Sequence, residues 1–74
     1  MNDYNEMRFG YLRVLTTDEK LAMIAELEED IEALNEIIDD RRTSGEQRSE
    51  LRSDVVFETT KLEYLRKILE EKTL

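Results

Sequence analysis

Seventy-four residues with 11 basic and 19 acidic side chains, a net charge of −8 and no cysteine, histidine or proline set narrow limits on this chain. A domain this short buries only ~60% of its unfolded surface when it folds alone, and it has neither disulfides nor the usual zinc ligands to reinforce it, so self-association is expected. The negative charge excludes general attraction to nucleic acid or an anionic membrane, no apolar run approaches the roughly 18 to 20 residues of a membrane span, and Met1, Asn2 and Asp3 do not open like a secretion signal, which leaves a cytoplasmic protein as the expectation.

Residues 1–15 read as an arm. Asp3 and Glu6 resemble a helix cap, and Tyr4, Met7, Tyr11 and Val14 follow helical spacing. Phe9, Tyr11, Arg13 and Leu15 also alternate like a strand, and Gly10 interrupts both patterns. A short helix is the preferred reading, serving as a lid on a core or as a contact surface.

Thr16 followed by Glu19 is a capping box, in which hydroxyl and carboxylate each accept from the other residue's backbone N–H. A helix over about 17–42 is predicted from it. Ile24, Leu27, Ile31, Leu34 and Ile38 alternate steps of three and four along this helix, a narrow stripe of coiled-coil type, with Met23 and Ile37 beside it. The opposite face is anionic: residues 18–40 hold ten acidic side chains against the single base Lys20. Glu28, Glu29, Glu32, Glu36 and Asp40 are the candidate partner-binding face.

Thr43, Ser44 and Gly45 form the next turn signal, with a second capping box from Ser44 and Gln47 or from Thr43 and Glu46. The second helix is predicted over about 46–72, carrying Leu51, Val55, Phe57, Leu62, Tyr64, Leu65, Ile68 and Leu69 around roughly half its circumference. One neighbouring helix cannot cover so wide a face, so these eight residues are the expected oligomer interface. The predicted fold is all-α: an arm (1–15) and an antiparallel two-helix hairpin (16–74), assembled into a homo-oligomeric bundle. Antiparallel packing would bring Lys61, Arg66, Lys67 and Lys72 towards the acidic helix. The competing picture is one continuous helix from Thr17 to Lys72, since a lone glycine costs only about 1 kcal/mol in a helix.

Little in the chain points to catalysis. Ser44, Ser49 and Ser53 have no histidine to activate them, and carboxylate pairs such as Glu28 with Glu32 lack the calcium-loop pattern, so neither enzyme activity, metal nor cofactor is expected. Arg41, Arg42, Arg48 and Arg52 around the turn would suit a phosphate or carboxylate, or would pair with neighbouring acids. Tyr11, Arg13 and the Thr16 helix start combine a stacking ring, a cation and free amides, a set that suits a nucleotide. Core packing by Tyr11 beside a solvated Arg13 is the plainer alternative.

Gly10, Tyr11, Arg13, Leu15, Thr16, Asp18, Glu19 and Met23, with the apolar spacing through Leu34, resemble the phage-encoded cyclic-oligonucleotide sponges that defeat CBASS immunity. The resemblance spans about a third of the chain and implies a short N-terminal helix, a long antiparallel hairpin, an oligomer, and a ligand-binding role for Tyr11, Arg13 and Thr16. The leading expectation is a small acidic binding protein that occludes or sequesters a partner macromolecule with a basic surface, in the manner of a phage or mobile-element inhibitor of host defence acting in the host cytoplasm. The alternatives are a cyclic-oligonucleotide sponge and a nucleic-acid mimic that fills a basic groove.

Overall fold

A computed structural model describes residues 3–73, with side chains for 4–71. It is helical throughout: α1 (Asp3–Phe9), a 3-10 helix (Gly10–Val14), α2 (Thr17–Asp39) and α3 (Gly45–Thr73), with no strand among the described residues. The strand alternative for the arm is thereby replaced by two short helical segments.

Local chemistry fixes the element ends. Thr16 has extended backbone, its Oγ1 accepts from the Glu19 amide at 3.1 Å, and the Glu19 carboxylate accepts from the Thr16 amide at 2.9 Å. α2 stops at Asp39, three residues before the expected end. Asp40 turns to extended backbone because its carboxylate accepts from the Arg42 amide at 2.8 Å, and the Thr43 hydroxyl donates back to the Ile37 carbonyl at 2.6 Å. These side-chain bonds outcompete another helical turn. Ser44 and Gln47 form the second capping box, each bond 3.2 Å long. Gly45 is consequently the first residue of α3 and has no positive φ, and the continuous-helix alternative is broken at residues 40–44.

α3 lies along α2, with contacts that advance in opposite directions: the Arg48 guanidinium meets the Asp40 carbonyl beside the turn, and Arg66 pairs with Glu28 farther along both helices. The core gathers at the end where α1 and the 3-10 helix also pack. Phe9 and Leu12 from the arm, Leu27 from α2, and Leu62, Tyr64, Leu65 and Ile68 from α3 form one buried cluster, edged by Leu15, Met23, Ile24 and Ile31. At 23 and 29 residues the long helices are unequal.

The broad apolar face of α3 is therefore shared between two neighbours inside one chain. Leu62, Tyr64, Leu65 and Ile68, expected to meet a second copy, are buried within the chain instead, because the arm covers the sector that α2 leaves. Of the expected interface, Leu51, Val55 and Leu69 are half-buried and Phe57 is exposed.

Candidate functional site

Glu28, Glu29, Glu32 and Glu36 are all exposed on α2. Glu28, Glu32, Glu36 and Asp39, with Asn35, rim an open groove of about 440 Å³ whose apolar floor is Ile31 and Leu62. Glu28 pairs with Arg66, whereas Glu29, Glu32 and Glu36 form no ion pair among the described residues. Asp40 departs from this face. Its carboxylate binds Arg42 at 3.1 and 3.2 Å, and these bonds hold its pKa below the ordinary carboxylate value. The turn has taken Asp40 for its own closure, so the rim is completed by Asp39.

The four arginines around the turn do not converge on a vacant anion site. Arg42 is bound to Asp40 and raised in pKa by it, and Arg48 donates to the Asp40 carbonyl at 3.0 Å while its Nε is buried without a partner. Arg41 and Arg52 are exposed. Ser44 caps α3, the Ser53 hydroxyl donates to the Ser49 carbonyl at 3.3 Å, and Ser49 is exposed on α3. The described residues hold no cluster of three or more acidic, histidine or cysteine side chains placed for a metal ion, and no helix long and apolar enough to cross a membrane.

Tyr11, Arg13 and Thr16 follow one another on the chain but are differently engaged. Tyr11 is 61% exposed. Arg13 reaches Glu6 through Nε, at 3.1 and 3.2 Å, and through a second guanidinium nitrogen, and it meets Glu71 at 3.2 Å. Those bonds raise the Arg13 pKa and, from the other side, lower that of Glu6. The Arg13 guanidinium also stands 5.8 Å from the Tyr64 ring centre. It clamps the arm to the end of α3, and Thr16 is committed to its capping box. Lys67 lies beside Glu6 of the arm, and the Lys72 side chain falls outside the described residues.

Three features escaped the sequence reading. Lys20 is 1% exposed. It lies seven residues before Leu27, at the continuation of the α2 stripe, a spacing that was legible but masked by its charge. Tyr64 buries its hydroxyl near Glu6 and Arg13 without a well-formed hydrogen bond, and burial, then Glu6, raise its pKa while Arg13 pulls it down. Glu58 interrupts the α3 stripe between Val55 and Leu62. It lines a second groove of about 450 Å³ with Asp30, Leu34, Ile37, Asp54 and Phe57.

Burial raises the Glu58 pKa above its ordinary 4.5, and the charges of Asp30 and Asp54 raise it further. The folded chain then holds this proton more tightly than the unfolded chain, so stability falls as pH rises through the window above 4.5, and the penalty is complete beyond it. Glu58→Gln is expected to be more stable than the wild type at pH 7 by on the order of 0.5 to 1 kcal/mol, the size of a partly exposed charge interaction, and equal to it at pH 3.5. Thermal unfolding at the two pH values checks this; a difference independent of pH would contradict it.

No family model, curated protein or solved structure matches the chain.

Proposed function

We propose that this chain is a non-enzymatic binding protein, an antiparallel helical hairpin that self-associates and occludes a basic surface on a partner macromolecule. The observation that carries the reading is the outer face of α2: Glu29, Glu32 and Glu36 are exposed with no ion pair among the described residues, and Glu32 and Glu36 belong to the acidic rim of a groove with an apolar floor. Carboxylates left uncompensated on one face set up a local negative field that steers a positively charged partner, and the apolar floor gives the encounter something to desolvate. A protein that recognises phosphate would offer such a basic surface, so the nucleic-acid-mimic reading is a special case of this one. An inhibitor carried by a phage or mobile element is the biological role that occlusion by so small a protein fits. The ion pairs of Arg13 with Glu6 and Glu71 weigh against the sponge reading, since a cyclic oligonucleotide would have to displace both carboxylates.

The test compares the wild type with a variant carrying Glu28→Gln, Glu29→Gln, Glu32→Gln and Glu36→Gln as bait in a bacterial lysate. Helicity should be unchanged, and a partner held by the wild type at 50 mM salt should be lost both at about 500 mM salt, where screening shortens to a few ångströms, and in the glutamine variant. A partner retained by that variant would remove the acidic face from the mechanism.

A further inference from the structure

The arm is apolar on two sides. Phe9 and Leu12 are each 1% exposed and belong to the core, whereas Tyr4, Met7, Tyr11 and Val14 are exposed at 62, 83, 61 and 85%. Tyr4 and Met7 are three residues apart on α1, and Tyr11 and Val14 three residues apart on the 3-10 helix that follows, so each pair shares a face of its own segment. Scattered apolar residues are ordinary on a protein surface, but a run of large ones along one short segment marks a contact.

We infer that the Tyr4, Met7, Tyr11 and Val14 stripe is the surface on which a second copy of this chain docks. The inference rests on the self-association proposed above and moves its contact from α3 to the arm. Charge selects the occupant. Within residues 1–17 the acids Asp3 and Glu6 balance the bases Arg8 and Arg13, so the whole net charge of −8 lies beyond the arm. The arm's bases are also turned to internal use, Arg13 on Glu6 and Glu71, and Arg8 with its guanidinium 4.9 to 5.1 Å from the ring centres of Tyr4, Phe9 and Phe57. An anionic lipid or nucleic acid would have to draw Arg8 and Arg13 away from these contacts, and a basic partner is drawn to α2 instead. A second copy brings the same neutral, apolar stripe, and pairing stripe on stripe satisfies the self-complementarity of a two-fold interface. It also joins two strongly acidic chains at the part of each that carries no net charge, where repulsion is least.

A stripe this short makes a small interface, of the weak and transient class. Sedimentation equilibrium from 5 to 500 µM should show the wild type passing from monomer to dimer. The double variant Met7→Glu, Tyr11→Glu should remain monomeric throughout with unchanged helicity, while Val56→Glu, at a 65% exposed position on α3, should dimerise like the wild type. A wild type that stays monomeric at 500 µM overturns both this inference and the self-association on which it rests. Association abolished by Val56→Glu but not by the arm variant overturns the arm alone and returns the contact to α3. Because the chain has no cysteine, a pyrene label at Met7→Cys gives a second readout that introduces no charge into the stripe. Excimer emission should rise with concentration from Met7→Cys and not from a label at exposed Ser53→Cys, and equal emission from both sites would count against the stripe.

Discussion

Phe9→Ala is expected to lower the free energy of unfolding by about 3 to 5 kcal/mol, the cost of truncating a buried aromatic. Phe9 is 1% exposed, its ring centre is 5.7 Å from that of Phe57 in an edge-on arrangement and 5.9 Å from that of Tyr64, and the Arg8 guanidinium lies 4.9 Å from it. Such ring pairs add about 0.5 to 1.5 kcal/mol beyond the area they bury. Phe9 is thus the main apolar anchor of the arm on α3, with the Arg13 ion pairs as an exposed and weaker clamp. For a chain of this length, total stability is about 4 to 11 kcal/mol at the usual 0.05 to 0.15 kcal/mol per residue, so the variant should sit close to its folding threshold. Urea unfolding followed by circular dichroism measures the loss. A midpoint and slope like those of the wild type would mean that the arm is an appendage and that α2 and α3 are stable without it.

How far the fold could be read in advance depended on whether the deciding chemistry was local. The Thr16–Glu19 box placed the start of α2 because both partners lie within one turn. The Ser44–Gln47 box was legible in the same way but stood beside the Thr43–Glu46 alternative. The structure forms the Ser44–Gln47 box, while the Thr43 hydroxyl lies on the other side of the turn, donating backwards to the Ile37 carbonyl. The end of α2 was misplaced because Asp40, Arg42 and Thr43 close a turn that no periodicity reveals. In the arm, neither the helical set Tyr4, Met7, Tyr11 and Val14 nor the alternating set picks out the pair that is buried, Phe9 and Leu12. With large apolar residues on both sides, hydrophobicity could not say which side faces in, and the change to 3-10 geometry at Gly10 alters the phase between them.

The candidate site was legible as charge and illegible as geometry. The positions of the acids along the 3.6-residue repeat were enough to group Glu28, Glu29, Glu32 and Glu36, which are exposed on α2. They could not remove Asp40 from that face, nor tie Arg13 to Glu71 across 58 positions of sequence, since both depend on how distant segments meet. Glu58 was hidden for a related reason. A single acid in an apolar stripe reads as an ordinary interruption until Asp30 and Asp54 are seen to crowd it.

Leu65→Ala should cost about 2 to 5 kcal/mol, towards the upper end of that range for buried leucines. Leu65 is 0% exposed and sits in the cluster where the arm, α2 and α3 converge. A cavity made there is bounded by three segments, each held by its own contacts: the arm by Phe9 and Arg13, α2 by its capping box and the Glu28–Arg66 pair, α3 by both neighbours. Collapse of any one segment into the space would break contacts elsewhere, so most of the void should persist and its full cost be felt. Leu65→Met keeps the volume and should lose less than about 1.5 kcal/mol, and Glu32→Ala on the exposed face should stay within about 0.5 kcal/mol of the wild type. Urea unfolding of the three variants measures the ordering. Combining Leu65→Ala with Phe9→Ala adds a sharper criterion, because both side chains line one cluster: the double variant should lose less than the two single losses added together, by about 0.5 kcal/mol or more. Strict additivity, or a Leu65→Ala loss below about 1 kcal/mol, would mean that the arm and the two long helices do not share the core described here.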